Sequence, residues 1–502
     1  MKLFTIRPFY VGCLVLLALS SGCAGTPAIT PVATPVPGAG LEFKDCQLSS
    51  PGAASSIDAH CTQISVYEDQ VQKTGRKISL SVAMIPAVSK SPQPDPVFML
   101  AGGPGQSAQE TFPALLGVFE RLHQKRTIVL VDQRGTGQSN PLKCSQTETS
   151  NEDASGADLS PDQQAEELKA CLAQIDADPR LYTTSASVED LEEVRQALGF
   201  GRINLVGISY GTRYALAYQR QYPQAARTVT LDSVDPLDWE LGPHNPANAQ
   251  RALDMLIERC GADPACQAAF PSIRSEFQSV LDALDKEPVI LSVPHPTSGE
   301  MTKVTLNHST FATTIQILLY APESSVLIPL LIHTAAARGD YSLLAAQYLI
   351  VSGGLGKSIS EGLYLSVLCA EDAAFYSSTP STTPSYLPDH TGDMVRQCQI
   401  WPHAQVAPEF KQPVKSDIPT LLLTGEADPI TPPANAEQVA RLLSNSLNLV
   451  VPGLGHNIIY RGCIPKIVTS FIETGSEKGL DTSCTQDIRP APFMINFSGS
   501  QP

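Results

Sequence analysis

The stretch Gly207-Ile208-Ser209-Tyr210-Gly211 sets a serine between two glycines, directly after a short apolar run. Glycine on both sides removes the side chains that would collide in a sharp strand-to-helix turn, and such a turn holds a serine hydroxyl clear of its backbone. The pattern therefore predicts that Ser209 is a nucleophile. The alternative is a tight turn whose serine does no chemistry.

A serine hydroxyl is a weak nucleophile at neutral pH, so it needs a base, and the base needs an acid that orients it. His456 in the segment VPGLGHN follows an apolar run near the C-terminus. Asp428 in the segment TLLLTGEADPITP follows an earlier apolar run, and Glu426 is the alternative acid two residues before it. We predict that Ser209, Asp428 and His456 form a triad for acyl transfer.

Two further loops follow predicted strands and complete the candidate site. The segment FMLAGGPGQS is rich in glycine, so the amide of Gly103 can face a ligand together with the amide of Tyr210, the residue after the nucleophile. Two such donors would stabilise the negative charge that develops on a carbonyl oxygen. In the segment VDQRGTGQS we expect Asp132 and Arg134 to hold the floor of the site.

These residues lie among alternating strand and helix patterns. Short apolar runs rich in β-branched residues predict buried parallel strands at 97–100, 127–131, 203–206, 228–231, 420–424 and 447–451. Helical patterns occupy 188–198, 210–222 and 434–443, and a leading antiparallel pair is predicted at 61–67 and 79–85. Between about 236 and 414 the pattern is mostly helical, with clear stretches at 311–320 and 326–337. The fold class is therefore α/β, with a largely helical insertion.

The N-terminus has the features of an export signal. Lys2 and Arg7 precede an apolar stretch at 9–19, which is too short for a membrane-spanning helix, and small residues then lead to Cys23. We predict a lipoprotein-type signal peptide over 1–23 with lipidation of Cys23, and plain secretion is the alternative. Residues 24–40 are rich in Pro, Thr, Ala and Gly and predict a flexible linker.

Ten cysteines follow this signal, and an even number in an exported chain indicates disulfides. Sequence order suggests, but does not establish, the pairs Cys46–Cys61, Cys144–Cys171, Cys260–Cys266, Cys369–Cys398 and Cys463–Cys484. The competing interpretation is metal binding. No Cys-x-x-Cys occurs and no histidine has ligand spacing to a cysteine pair, so we expect no metal site.

The charge balance narrows the class of partner. The chain has 502 residues, with 34 basic against 50 acidic side chains and a formal net charge of −16. Nucleic-acid binding favours clustered Lys and Arg, so a nucleic-acid partner is not expected. We expect no cofactor either, because the predicted triad supplies the nucleophile, base and acid itself.

The motifs GGPG, DQRGTGQS, GISYGTRYA, GEADPITPP and GLGHN together resemble the α/β-hydrolase serine exopeptidases, which include the proline iminopeptidases and the secreted tripeptidyl aminopeptidases. The C-terminal part, from GEADPITPP to GHNIIYRGC, is especially similar to the tripeptidyl aminopeptidases. Ala101 stands where proline iminopeptidases usually carry histidine. This difference weakens the prediction of proline specificity more than that of a general aminopeptidase. The resemblance implies an α/β-hydrolase fold with a mostly parallel sheet and a helical cap. Its expected parts are a first core segment at 41–235, a cap at 236–414, a second core segment at 415–475 and a tail at 476–502.

The resemblance also implies an aminopeptidase that cleaves peptides near a free N-terminus, through an acyl-enzyme on Ser209. Such an enzyme binds a substrate ammonium, and Glu371 and Asp372, beside Cys369, are the predicted carboxylates; a solvated acidic pair is the alternative. Two other functions remain open, a carboxylesterase or lipase with the same triad and a non-enzymatic lipoprotein. The expected location is the cell envelope of a bacterium, periplasmic or at the cell surface, with a lipid anchor as the only membrane contact, or else secretion.

Overall fold

The computed structural model describes residues 40–51, 55–144, 160–377 and 384–499, without the side chains of residues 355–357. The predicted signal peptide, the linker up to residue 39 and Cys23 lie outside the described residues. Within the described residues, every helix is too short or too polar to cross a membrane.

In the described part of the chain, nine strands form one sheet, and two more form a separate hairpin. The strands are β1 (Lys44–Leu48), β2 (Ile57–Tyr67), β3 (Lys77–Ile85), β4 (Val97–Leu100), β5 (Ile128–Val131), β6 (Ile203–Ile208), β7 (Ala226–Asp232), β8 (Val289–Pro294), β9 (Met301–Leu306), β10 (Thr420–Gly425) and β11 (Ser446–Val451). The order in the large sheet is β1-β2-β3-β5-β4-β6-β7-β10-β11, and β8 pairs with β9 alone. From β5 to β11 all pairings are parallel, whereas β1, β2 and β3 pair antiparallel. The predicted α/β class with a mostly parallel sheet is confirmed.

Helices cover both faces of this sheet and fill the segment between β7 and β10. The helices are α1 (Ala108–Thr111), α2 (Leu116–His123), α3 (Pro161–Leu172), α4 (Thr184–Ala197), α5 (Tyr210–Gln221), α6 (Asn245–Ala262), α7 (Pro264–Ala269), α8 (Ile273–Lys286), α9 (His308–Leu318), α10 (Pro322–Ser325), α11 (Ile328–Arg338), α12 (Ser342–Ser358), α13 (Glu361–Glu371), α14 (Thr391–Ile400), α15 (Pro433–Ala440) and α16 (Ile464–Thr474). Helices α6 to α14 and the hairpin β8–β9 therefore lie in the insertion between the two halves of the sheet.

The central strands β4 and β5 are apolar along their whole length because both faces of a parallel sheet are covered. In β4 (VFML) and β5 (IVLV) every residue is buried. On one face these strands pack against α4 and α5, and on the other against α2 and α16. The core cluster on the first face contains Phe98, Leu205, Val188, Leu191 and Tyr218. The cluster on the other face contains Met99, Leu130, Phe119, Leu423 and Phe471. The helices of the insertion form a third cluster of their own, around Leu253, Phe277, Val304, Phe311 and Ile332.

The sequence patterns do not predict strand β1 or the hairpin β8–β9, and the reasons are physical. Strand β1 (KDCQL) is short and largely polar, and its pairing with β2 is a tertiary contact that local composition does not encode. The hairpin β8–β9 has only one buried residue in β8, so it is a half-exposed ribbon inside a segment dominated by helical spacing. Helix α9 begins at His308, three residues before the predicted start, because Asn307 and Thr310 form a reciprocal cap at its N-terminus.

The described cysteines form five disulfides. The pairs are Cys46–Cys61, Cys144–Cys171, Cys260–Cys266, Cys369–Cys398 and Cys463–Cys484, the same pairs that sequence order suggests. Each closes a short loop, of between 6 and 29 residues in sequence separation. One of them ties β1 to β2, and another joins α13 to α14 within the insertion.

Candidate active site

Ser209 stands at the sharp turn between β6 and α5, where the sequence pattern predicts a nucleophile. Its backbone is strained, with φ 56° and ψ −125°, and its side chain is only partly buried. The flanking glycines are required by close backbone contacts. A Cβ on Gly207 would collide with the carbonyl of Gly211, and a Cβ on Gly211 would collide with the carbonyl of Leu100. This turn therefore lifts the hydroxyl above the carboxyl ends of the parallel strands.

His456 and Asp428 meet Ser209 from loops more than two hundred residues away in the chain. The Nε2 atom of His456 lies 3.1 Å from Ser209 Oγ, and its Nδ1 atom lies 2.8 Å from Asp428 Oδ2. Both side chains are buried, with His456 6% exposed and Asp428 fully buried. The geometry is that of a nucleophile hydrogen-bonded to a base that a carboxylate orients.

The loop of His456 is fixed by backbone contacts with the insertion. The His456 amide donates a hydrogen bond to the carbonyl of Tyr320, just after α9, at 2.7 Å, and the two rings lie 5.0 Å apart. At Gly455 a Cβ would collide with this same carbonyl. A glycine before the histidine is therefore needed for the loop to approach the insertion so closely.

Asp428 is held by its own turn. Its Oδ1 atom accepts hydrogen bonds from the amides of Ile430 and Thr431, at 2.8 and 2.9 Å, and its Oδ2 atom accepts one from Thr431 Oγ1 at 2.9 Å. Burial alone would raise the pKa of Asp428, but the charge of His456 and its hydrogen bond, together with the two amides, bring that pKa below its ordinary value. The carboxylate is therefore ionised at neutral pH.

The electrostatics of His456 favour its protonated form. Burial alone would lower the pKa of the imidazole. The charge and the hydrogen bond of Asp428 outweigh burial, and Asp232 and Asp235 add to them, so the pKa of His456 is raised above its ordinary value of 6.5. The site thus stabilises an imidazolium, the species that forms when a base takes a serine proton.

Glu426, the alternative acid, lies elsewhere. Its Oε2 atom accepts a hydrogen bond from the amide of Gly453 at 2.9 Å. The carboxylate that contacts the imidazole of His456 is that of Asp428. Glu426 therefore braces the neighbouring loop rather than the histidine.

The glycine-rich loop after β4 lies directly against the serine. A Cβ on Gly102 would lie 3.1 Å from Ser209 Cβ, and Gly103 has φ 111°, a conformation that favours glycine. The loop is also tied to the insertion, because the amide of Ser360 donates to the carbonyl of Gly105 at 2.8 Å. The other predicted donor, the amide of Tyr210, is at the first position of α5, where helix amides lack intrahelical acceptors.

The loop after β5 is structural, as its sequence suggests. Asp132 Oδ1 accepts hydrogen bonds from Ser107 Oγ at 2.6 Å and from the amide of Gln109 at 3.1 Å. Arg134 is fully buried and donates to Asp190 through Nε, at 2.7 Å. Through Asp132 the loop therefore holds the glycine-rich segment on one side, and through Arg134 it holds α4 on the other.

Glu371 and Asp372, predicted to bind a substrate ammonium, are both fully buried and have protein partners. Glu371 accepts hydrogen bonds from the amide and the hydroxyl of Thr184, at 2.7 and 2.8 Å. Asp372 accepts them from Arg213 at 2.9 Å and from Lys411 at 2.8 Å. Burial raises the pKa of Glu371 to about 7, although the charge of Arg213 opposes this. These contacts argue for a structural role, and the ammonium site stays a prediction.

Several residues around the site were missed by sequence reasoning. Arg213 is fully buried on α5 and binds Asp235 as well as Asp372, so it joins the nucleophile helix to the insertion. Asp232 ends β7 and contacts the loop after His456. A polar residue at the carboxyl end of a predicted strand was the signal that pointed to Asp428, and the segment LDSVDP offers the same signal for Asp232.

No group of three or more His, Cys, Asp or Glu side chains with metal-binding geometry occurs among the described residues.

Two parts of the chain match known protein families. Residues 95–262 match the family described as alpha/beta hydrolase fold, and residues 386–484 match the family described as TAP-like protein. The serine protease Hip1 of Mycobacterium tuberculosis is 25% identical over 503 residues, which cover 90% of this chain and 92% of Hip1.

Two further relatives match shorter stretches. The tripeptidyl aminopeptidase of Streptomyces lividans is 27% identical over 215 residues, 39% of this chain and 38% of that protein. The proline iminopeptidase of Neisseria gonorrhoeae is 30% identical over 146 residues, 29% of this chain and 34% of that protein. Together with the sheet order and the serine turn, these matches show that the chain has the α/β-hydrolase fold, and its C-terminal region is similar to the TAP-like family.

Proposed function

We propose that the protein is a serine exopeptidase that cleaves peptides near a free N-terminus through an acyl-enzyme on Ser209. The observation that carries this proposal is the continuous hydrogen-bonded chain from Ser209 Oγ through His456 to Asp428, at 3.1 and 2.8 Å. Relatives named as a serine protease, a tripeptidyl aminopeptidase and a proline iminopeptidase support a peptide substrate over an ester.

The first step is attack of Ser209 on the scissile carbonyl. His456 Nε2 takes the hydroxyl proton as Oγ bonds to the carbonyl carbon, and Asp428 holds the opposite N–H of the imidazole in place. The contacts that raise the pKa of His456 also stabilise the imidazolium that forms in this step.

The negative charge on the carbonyl oxygen then needs donors. In this proposal, the amides of Gly103 and Tyr210 supply them, and the loss of one such donor typically raises the barrier by about 2.7–4 kcal/mol. Support comes from the position of the two segments, since the glycine-rich loop and the first turn of α5 flank Ser209 on either side.

Three proton transfers complete the cycle. The imidazolium of His456 donates its proton to the leaving amine, which departs and leaves the acyl group esterified to Ser209. His456 then takes a proton from water, the hydroxide attacks the acyl carbonyl, and Ser209 recovers its proton as the acid product leaves.

The test is a substrate panel with the wild type and the Ser209→Ala variant. Peptide p-nitroanilides with free N-termini should be cleaved, the same peptides with acetylated N-termini should be cleaved poorly, and Ser209→Ala should cleave neither. Turnover of p-nitrophenyl esters without any amide turnover would instead assign a carboxylesterase. Equal cleavage of free and acetylated peptides would remove the requirement for a free N-terminus.

We also propose that the insertion at 236–414 acts as a cap over a core formed by 41–235 and 415–475, with 476–502 as a tail. Its support is that the insertion contacts two loops of the site, through the carbonyl of Tyr320 and the amide of Ser360. Limited digestion with a protease, followed by mass spectrometry, would show whether cuts cluster at these limits.

The location proposed is the cell envelope, with a lipid on Cys23. Five disulfides among the described residues support an oxidising compartment, and small residues before Cys23 support lipidation. Mass spectrometry of the mature protein should find a diacylglycerol-modified N-terminal cysteine. Release of Cys23→Ser into the soluble fraction would agree, whereas an unmodified soluble wild type would favour plain secretion.

A further inference from the structure

Asp232 is the last residue of β7, between the strand that leads to Ser209 and the strand that leads to Asp428. It is fully buried. Its backbone carbonyl accepts a hydrogen bond from the amide of Ser209 at 2.8 Å. The main chain of Asp232 is therefore attached to the nucleophile itself.

The side chain of Asp232 is attached to the loop of the base. Its Oδ1 atom accepts a hydrogen bond from the amide of Ile458 at 3.0 Å, and its Oδ2 atom accepts one from the amide of Ile459 at 3.1 Å. The adjacent Ser233 Oγ accepts one from the amide of Asn457 at 2.7 Å. The three amides that follow His456 are thus all bound by two consecutive residues at the end of β7.

This arrangement demands unusual backbone on both sides. Ser233 has φ 62° and Asn457 has φ 61°, both in the left-handed region that residues other than glycine seldom adopt. Strain of this kind persists only where surrounding contacts fix it. The amide of His456 is itself bound by Tyr320, so the loop has four consecutive amides held from two directions.

A carboxylate suits this position better than a neutral side chain. Its two oxygens both accept, whereas the amide of an asparagine offers one acceptor and would leave one buried N–H without a partner. Burial raises the pKa of Asp232 to about 7, and the two amides and His456 partly oppose this. When ionised, Asp232 adds to Asp428 and Asp235 in raising the pKa of His456.

We propose that Asp232 is a positioning residue that sets the distance between Ser209 Oγ and His456 Nε2, by holding the nucleophile with its carbonyl and the loop of the base with its carboxylate. The inference rests on the proposed function, because it concerns the same serine and histidine. It assigns to Asp232 no contact with the substrate.

The test compares Asp232→Asn with Asp95→Asn. Asp95 is also a buried aspartate, but it lies before the amino end of β4, whereas the site lies at the carboxyl ends of the strands, and it binds Arg126 and Asn204. Displacement of a catalytic base by about 1 Å can lower the rate about 100-fold. Asp232→Asn should therefore lower kcat about 100-fold, with KM nearly unchanged. The Asp95→Asn variant should lose stability without that loss of kcat per folded molecule.

The pH profile separates positioning from general damage. Removal of the Asp232 charge leaves Asp428 and Asp235 as the carboxylates that raise the pKa of His456, so the acid limb of kcat/KM should move to lower pH in Asp232→Asn. It should stay in place in Asp95→Asn. Rates are normalised to the folded fraction from circular dichroism, and Ser233→Ala, which spares the carboxylate, should lower kcat in the same direction by less.

The rate at which a fluorophosphonate probe phosphonylates the protein tests this inference separately from the proposed function. The probe reports nucleophile and base without any peptide, so a wild type that is labelled but cleaves no peptide would refute the peptidase proposal alone. Slower labelling of Asp232→Asn than of the wild type and Asp95→Asn is the expected result. Wild-type labelling, kcat and pH profile in folded Asp232→Asn, or an equal loss in Asp95→Asn, would overturn the inference.

Discussion

The backbone amide of His456 donates a hydrogen bond to the carbonyl oxygen of Tyr320 at 2.7 Å, and the two rings lie 5.0 Å apart. Tyr320 follows α9, a helix of the insertion, whereas His456 follows the last strand of the sheet. The predicted base is thus held partly by a segment outside the sheet. Changes at this contact should affect catalysis as well as stability.

The contact predicts the effect of Gly455→Ala. A Cβ at this position would lie 2.6 Å from the carbonyl of Leu319 and closer still to that of Tyr320, so the loop and the insertion must separate. We expect a loss of about 1–3 kcal/mol in the free energy of unfolding, because the site has no room for a methyl group. Displacement of the histidine should lower kcat about 100-fold.

The matched control is Gly261→Ala on α6, where a Cβ meets no atom within 4 Å. Alanine is the better helix former, so this variant should be as stable as the wild type or more so, with unchanged kcat. Urea unfolding and steady-state kinetics provide the measurements. A Gly455→Ala enzyme with wild-type kcat would mean that the insertion does not help to hold the base.

The two candidate acids give a paired prediction. Asp428→Asn keeps the volume of the side chain but no longer enforces the N–H on Nδ1 of His456, so kcat should fall about 10⁴-fold. Glu426→Gln changes a side chain that accepts a hydrogen bond from the Gly453 amide and does not contact the imidazole of His456, so its kcat should stay close to that of the wild type. Steady-state kinetics on one p-nitroanilide distinguish them. A larger loss in Glu426→Gln than in Asp428→Asn would exchange their roles.

The pH dependence of kcat/KM should follow the deprotonation of His456. The imidazole must be neutral to take the serine proton, and its pKa in the folded free enzyme is raised, chiefly by Asp428 against the effect of burial. Activity should therefore fall as the pH is lowered, with an acid limb above the ordinary value of 6.5. Measurement of kcat/KM across the pH range tests this, and a midpoint below 6.5 would contradict the electrostatics described here.

Arg213 provides a prediction about stability. Its guanidinium is fully buried and pairs with Asp235 and Asp372, so Arg213→Met would leave Asp235 without a cation and Asp372 with Lys411 alone. Loss of one partner of a buried ion pair costs about 3–5 kcal/mol in the free energy of unfolding. The exposed Arg180, which pairs with Asp178, is the control, and Arg180→Met should unfold like the wild type. Equal urea midpoints for the two variants would show that the buried cluster contributes no net stability.

Much of the fold was predictable because its strands are local signals. The runs that became β4, β5, β6 and β10 are continuous and buried along their whole length, as central strands of a parallel sheet require. Strand β7 mixes apolar and polar residues, and β11, at the end of the sheet, has only one buried residue. The predicted helix at 188–198 begins earlier, at Thr184, because Thr183 caps it by accepting from the amide of Ala186. Strand β1 has no such local signal, since its pairing depends on β2.

The residues of the site also divide into those that the sequence predicts and those that only the packed structure reveals. Ser209, Asp428 and His456 each follow a recognisable strand and have glycines nearby. Their residue types and their order along the chain were therefore sufficient to predict them as a triad. Asp232 and Arg213 act through partners on other elements, and their burial is a property of the packed molecule. The partners of Glu371 and Asp372 are likewise tertiary, so the sequence predicts an acidic pair but not the side chains that bind it.

The most direct test of the account is the identity of the nucleophile. The wild type and Ser209→Ala are treated with a fluorophosphonate, digested and mapped by mass spectrometry, with peptide hydrolysis and thermal unfolding measured beside them. The account predicts one phosphonate adduct, on Ser209, and a Ser209→Ala protein that is neither labelled nor active yet unfolds at nearly the same temperature. Retained peptide hydrolysis in folded Ser209→Ala, or an adduct on another serine of the wild type, would contradict it.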